Sequence, residues 1–142
     1  NEIEIKVNKF SEIVKEKVIK CAYIDGVIDF IKKNKSLKLF ICTGTPNDEI
    51  NDIVIARKIK KYFKGIYGSP ETKELIINKI LSNYNLEPSE VLYFGDSMTD
   101  YFAAINSGLN FIGIKNEDTS FPRNTFIIKD FNDINLSKMN FI

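Results

Sequence analysis

The chain has 142 residues, 44% hydrophobic and 27% charged, with a formal net charge of +1. That is the length of one domain, long enough to bury roughly two thirds of the surface its unfolded form exposes. The near-neutral charge excludes a global field for nucleic acid or anionic membrane, and the lack of any histidine excludes His-based triads, His proton shuttles and His-containing zinc sites.

Asn1 to Val7 alternates polar and apolar residues and reads as a half-exposed strand or an irregular lead-in. Phe10 to Cys21 predicts an amphipathic helix, with Phe10, Ile13, Val14 and Val18 at helical spacing and Ser11 as a cap. Asp25 to Asn34 predicts a second short helix with Val27, Phe30 and Ile31 on one face. Leu37 to Cys42 is the first core strand, stopped by Thr43-Gly44-Thr45-Pro46. A helix then begins at Asn47 or Asp48 and is expected to reach about Lys60. The basic cluster Arg57–Lys64 reads as its solvated end rather than a phosphate-backbone patch. Gly65 to Gly68 is a very short strand. Ser69-Pro70-Glu71 predicts a helix start with Ser69 as N-cap and Pro70 at the first helical position. Ile76, Ile77, Ile80, Leu81 and Tyr84 give that helix its buried face.

Val91 to Phe94 is a continuous apolar run suited to a strand covered on both faces. Gly95 allows a sharp exit, and a helix follows through Tyr101, Phe102 and Ile105 to Gly108, a good C′ residue. Phe111 to Ile114 is another strand, Phe126 to Ile128 an edge strand, and a short helix is expected near Phe131 to Leu136. Strands alternating with helices over short connections predict an α/β fold, a parallel sheet with helices on both faces. Cys21 and Cys42 lie far apart, and Cys42 sits in a strand run, so a buried thiol in a reducing, cytoplasmic setting is expected. No apolar run spans a bilayer, and Asn1 onward shows no signal-peptide apolar region.

Three strand ends carry polar residues expected on one face of the sheet. Thr43 and Gly44 offer a hydroxyl and backbone N–H groups beside a helix start, an anion site, the lesser alternative being that Thr43 satisfies a local turn. Lys73 falls in the first turn of the SPETK helix, unfavourable against the helix dipole unless an anion or carboxylate must be met there. Asp96 and Asp100, four residues apart after a strand, form an oxygen-rich site suited to Mg²⁺, or else merely favour a helix N-terminus. Hydroxyl, lysine and carboxylates in this order make a phosphoryl-transfer constellation.

The runs FICTGTP, YFKGIYGSPETK and VLYFGDSMTDYFAAINSGLNFIGI resemble the haloacid-dehalogenase (HAD) superfamily of phosphohydrolases, most closely its phosphoglycolate-phosphatase and β-phosphoglucomutase-like branch. The resemblance covers Gly26 to Ile114. It implies a HAD-like Rossmannoid core over 25–142, preceded by a remnant of a helical cap and linker over 1–24. It implies that Thr43 binds the transferring phosphoryl group and that Lys73 neutralises nucleophile and phosphate. Asp96 would ligate Mg²⁺, and Asp100 would support the metal or pair with Lys73. The family's nucleophile belongs to a DxDG(T/V) motif on the central first strand, and this sequence has none. The nearest string, Tyr23-Ile24-Asp25-Gly26-Val27, keeps only the second aspartate and reads as the start of the helix leading into the core. The implied missing strand lies between the Leu37–Cys42 and Val91–Phe94 strands, so a preceding segment of a longer protein, or a partner strand, is expected to supply it.

The expected activity is thus a Mg²⁺-dependent phosphatase for a small phosphorylated metabolite, working through an aspartyl-phosphate, with this chain lacking the nucleophile and inactive as it stands. A phosphomutase shares the chemistry. The alternative is a non-catalytic phosphate- or partner-binding domain. A phosphoacceptor signalling domain fits less well, since it needs an acidic pair that is also missing. No nucleic-acid or membrane partner is expected.

Overall fold

A computed structural model describes residues 15–139. Residues 15–20 are helical; the expected start of that helix at Phe10 and the Asn1–Val7 strand lie outside the described residues. In order follow α1 (Val27–Lys33), β1 (Phe40–Pro46), α2 (Asn47–Ala56), β2 (Gly65–Ser69), α3 (Lys73–Asn83), β3 (Leu92–Gly95), α4 (Met98–Asn106), β4 (Asn110–Ile114) and β5 (Ile127–Ile128). Among the described residues all strand pairings are parallel, as an alternation of strands and helices requires.

The chain forms two compact units. One holds the described residues up to Tyr23 together with Lys35–Pro70; the other holds Ile24–Asn34 and Glu71 onward. In the first, β1 lies beside β2 with Phe40 opposite Gly65 and Cys42 opposite Tyr67, and a register shift brings Pro46 opposite Ser69. The strand therefore includes the Thr43–Pro46 run expected to end it, and it starts three residues late because Leu37 is exposed. Helix α2 buries Ile53 and Val54 over the pair. Gly68 is demanded by close approach, since a Cβ there would collide with the Thr45 carbonyl. Arg57 holds the helical stretch 15–20 to this unit, donating to the carbonyls of Val18 at 3.0 Å and Cys21 at 2.6 Å and stacking over the Tyr23 ring.

In the second unit the strand order is β3-β4-β5, with Leu92 opposite Asn110 and Gly95 opposite Gly113. Strand β3 is covered on both faces. Tyr93 packs with Val91 and Phe111 on the buried group Ile77, Ala103, Ala104 and Leu109. Phe94 points the other way, into a trio with Phe30 of α1 and Phe131, ring centroids 5.1–5.6 Å apart. The Asp25-Gly26 pair serves this docking. Gly26 caps α1 at φ 77°, and a side chain there would meet Asn132; Phe131 N donates to Asp25 O at 2.9 Å.

Helices α2, α3 and α4 end in one way. The residues Lys58, Asn85 and Gly108 adopt positive φ, and the next residue's amide reaches back five positions, Ile59 to Val54, Leu86 to Leu81 and Leu109 to Ala104, at 2.9–3.1 Å. This is the Schellman closure, which satisfies the last carbonyls. It explains why α2 stops at Ala56 rather than near Lys60: the left-handed residue is a lysine, which sequence does not flag. The expected helix near Phe131–Leu136 is instead a single 3₁₀ turn at Leu136–Lys138, capped by Asn135 Oδ1 on Ser137 N. Phe131 is occupied by the aromatic trio. Cys42 is half-buried rather than fully buried, Cys21 is exposed, and neither forms a disulfide. Among the described residues no helix is long and apolar enough to cross a membrane.

If the aromatic trio anchors α1, Phe30→Ala should destabilise the protein by about 3 kcal/mol, read as a lowered denaturant midpoint. A loss under about 0.5 kcal/mol, the range of ordinary surface substitutions, would contradict that anchoring.

Candidate functional site

The site in the second unit grows from the C-terminal end of β3. Gly95 was expected to permit a sharp exit, but its backbone has no positive φ. Its role is spatial: a Cβ would collide with the Asp100 side chain lying across it. Ser97 is the N-cap of α4, and Asp100 is its reciprocal partner three residues on, the two forming a capping box. Ser97 Oγ accepts from Asp100 N at 3.3 Å, while Asp100 Oδ2 accepts from Ser97 N at 3.2 Å and Ser97 Oγ at 2.8 Å.

The other carboxylate oxygen faces α3. Asp100 Oδ1 accepts from Lys73 Nζ at 2.6 Å and from the Tyr93 hydroxyl at 3.0 Å. Lys73 is the first residue of α3, whose N-cap is Thr72, with Thr72 Oγ1 accepting from Leu75 N at 3.3 Å. The expected Ser69 cap is thus corrected: Ser69 belongs to β2, and Thr72 is the hydroxyl within reach of the first helical amides. Lys73 Nζ also donates to Thr99 Oγ1 at 3.1 Å, and Thr99 shares a 2.8 Å hydrogen bond with Ser97 Oγ. Lys73 and Asp100 are both largely shielded, their side chains 18% and 11% exposed. Burial pushes the Asp100 carboxyl up; the donated bonds from Lys73, Ser97 and Tyr93 and the Lys73 charge outweigh it and hold the carboxyl below its ordinary range.

Asp96 stands one residue past the strand and is exposed. Asn116, following β4, points its Nδ2 at both Asp96 O and Asp96 Oδ2 at 3.4 Å, and its own Oδ1 accepts from Asp118 N at 3.1 Å. Among the described residues no three His, Cys, Asp or Glu side chains gather as a metal cage. The donor set still suits a hard cation in part. Asp96 presents an accessible carboxylate, whereas both oxygens of Asp100 are committed to protein donors.

Thr43 and Gly44 belong to the other unit, at the end of β1. Thr43 Oγ1 accepts from Thr45 N at 3.2 Å and approaches Thr45 Oγ1 at 3.3 Å, so the local turn geometry is present. A Cβ at Gly44 would meet nothing within 4 Å, which leaves the backbone there open to approach. Sequence reading missed Tyr93, Ser97, Thr99 and Asn116. Tyr93 carried a signal: a tyrosine in an otherwise apolar buried run needs a partner for its hydroxyl.

The match to known proteins is consistent across three comparisons. The family model for haloacid dehalogenase-like hydrolases matches residues 1–114. Phosphoglycolate phosphatase of Vibrio vulnificus is 30% identical over 81 residues, which is 54% of this chain and 36% of that protein. The chain therefore aligns with about a third of the length of that relative. A HAD-hydrolase of Bacillus subtilis, solved bound to magnesium, superposes with a TM-score of 0.74 at 19% identity, covering 87% of this chain and 58% of that one. A predicted phosphoglycolate phosphatase from Haemophilus somnus gives a TM-score of 0.66 at 23% identity, covering 78% and 54%. The fold is thereby the Rossmannoid α/β fold of these hydrolases.

Because the folded Asp100 carboxyl titrates below its unfolded value, its stabilisation is complete above about pH 4 and is lost as the pH falls through the lowered folded value. Asp100→Asn should cost roughly 1–3 kcal/mol at pH 7. Thermal denaturation across pH should show the gap to the native protein narrowing on acidification below about pH 4. A gap of constant size down to pH 2 would contradict the assignment.

Proposed function

The chain belongs to the haloacid dehalogenase-like hydrolase family, and from that membership we propose that it supplies the phosphate- and metal-handling part of a Mg²⁺-dependent phosphohydrolase of small phosphorylated metabolites. The observation that carries this reading is the shielded Lys73–Asp100 pair, 2.6 Å apart, set four residues from the exposed carboxylate of Asp96. A buried ion pair is a weak device for stability. At a strand end of an α/β sheet it is a device for presenting charge.

The roles follow from the chemistry of each group. Thr43 Oγ1 and the backbone amide of Gly44 would hold phosphoryl oxygens. Lys73 would neutralise charge on the phosphoryl group and on the attacking carboxylate. Asp100 would hold Lys73 in place rather than bind metal itself, because both its oxygens already accept protein donors. Asp96 would hold the Mg²⁺, which when bound polarises phosphoryl oxygens and offsets their charge. The reaction class is transfer of the phosphoryl group to an aspartate, then hydrolysis of the aspartyl-phosphate by water. That aspartate is not provided by a DxDG motif in these 142 residues, so in this reading it comes from a preceding segment or a partner strand. The likeness to phosphoglycolate phosphatase supports a phosphatase rather than a phosphomutase.

The missing motif also favours a second reading, a phosphate- or partner-binding domain without catalysis. The 142-residue chain, alone and joined to any segment encoded ahead of Asn1, should be assayed on p-nitrophenyl phosphate with and without Mg²⁺. Turnover confined to the longer form supports the proposal, with Asp96→Asn lowering it on the order of 10²-fold or more. Robust turnover by the shorter chain would overturn the external nucleophile. Phosphate binding without turnover in either form would favour the second reading.

A further inference from the structure

Tyr93 lies in the middle of β3 and is not among the residues that would touch phosphate or metal in the proposed reaction. Its hydroxyl nevertheless ends 3.0 Å from Asp100 Oδ1, the same oxygen that receives Lys73 Nζ at 2.6 Å. The two partners of that oxygen differ in stiffness. A lysine ammonium rides on a four-carbon stem with several rotatable bonds. The tyrosine ring has two side-chain torsions, and here the ring is clamped. It stacks on Phe111 at a centroid distance of 6.2 Å and an interplanar angle of 28°, and it packs on the buried Ile77, Ala103, Ala104 and Leu109. The hydroxyl is therefore placed by the strand and the core.

We propose that Tyr93 is a positioning residue: its hydroxyl fixes Asp100 Oδ1, and through that oxygen fixes the Lys73 ammonium at the end of β3. The capping box settles Oδ2 through Ser97. Tyr93 settles Oδ1, so the carboxylate plane is held at both ends and cannot swing to follow the lysine. Thr99 Oγ1, 3.1 Å from Lys73 Nζ, supplies a second acceptor for the ammonium. With the carboxylate fixed, one N–H of Lys73 is directed at Oδ1 and another at Thr99, which sets the ammonium's orientation. Removing the hydroxyl leaves charge attraction intact and removes only the geometric constraint.

The kinetic arm of the test rests on the phosphohydrolase reading; the spectroscopic and stability arms do not. In the full chain able to turn over p-nitrophenyl phosphate, Tyr93→Phe should lower kcat about tenfold with KM changed less than about twofold. In ¹⁵N-lysine-labelled protein, a slowly exchanging Lys73 ammonium cross-peak, assigned by its loss in Lys73→Arg, should be present in the native chain and broadened or lost in Tyr93→Phe. Tyr93→Phe should also lower the thermal midpoint in the native background and leave it unchanged in an Asp100→Ala background, which lacks the acceptor oxygen through which the hydroxyl acts. An unaltered Lys73 cross-peak in Tyr93→Phe, no such peak in the native chain, or an equal midpoint loss in both backgrounds would each overturn the assignment. Failure of every form to turn over phosphate esters would overturn the phosphohydrolase reading and leave the other two arms to decide the role of Tyr93.

Discussion

The ion pair between Lys73 and Asp100 is the interaction around which the second unit's site is arranged. An ammonium at the first residue of a helix opposes the positive end of the helix dipole, and partial burial takes it further from water. The carboxylate 2.6 Å away offsets both costs. Asp100 has its own cost, since desolvation disfavours a charged carboxyl. That cost is offset by the donors gathered from three elements: Lys73 from α3, Tyr93 from β3 and Ser97 from the start of α4. Gly95 is part of the same arrangement, because only a residue without a side chain leaves room for Asp100 to lie across the strand end.

Asp100 is therefore at once a helix-capping residue and the counter-charge to a lysine 27 positions earlier in the chain. The two duties are compatible because they use different oxygens. Asp96, four residues before it, carries neither duty and stays accessible. Two aspartates that look equivalent in the string GDSMTD thus have different chemistry: one is committed to protein donors, the other is presented outward.

Much of this was legible in sequence because it rests on local pattern. The apolar run before Gly95, the Ile76, Ile77 and Ile80 face of α3 and the Gly108 terminus each follow from periodicity or from a residue's backbone preference. The misses share a cause, which is that a tertiary or side-chain partner decided a local choice. The end of α2 came early because Lys58 took a left-handed conformation usually left to glycine or asparagine. The α3 cap fell to Thr72 because Ser69 was drawn into pairing beside Pro46. Phe131 looked like a helix residue and became a core aromatic, since its ring partners, Phe30 and Phe94, lie far off in the chain. Tyr93 looked like a strand residue and was one, but its hydroxyl reaches a residue seven positions on, beyond any strand period.

The aromatic trio also has a temporal side. Helix α1 is synthesised before the residues that complete its apolar face, Phe94 and then Phe131. The latter is made about a hundred residues later, a delay of roughly 5–20 s at ordinary rates of synthesis. Through that interval Phe30 and Ile31 belong to a unit that does not yet exist, while the β1–β2 hairpinless pair can already close around α2. A nascent chain thus carries an orphan aromatic helix for seconds, an exposed apolar segment of the kind chaperones bind.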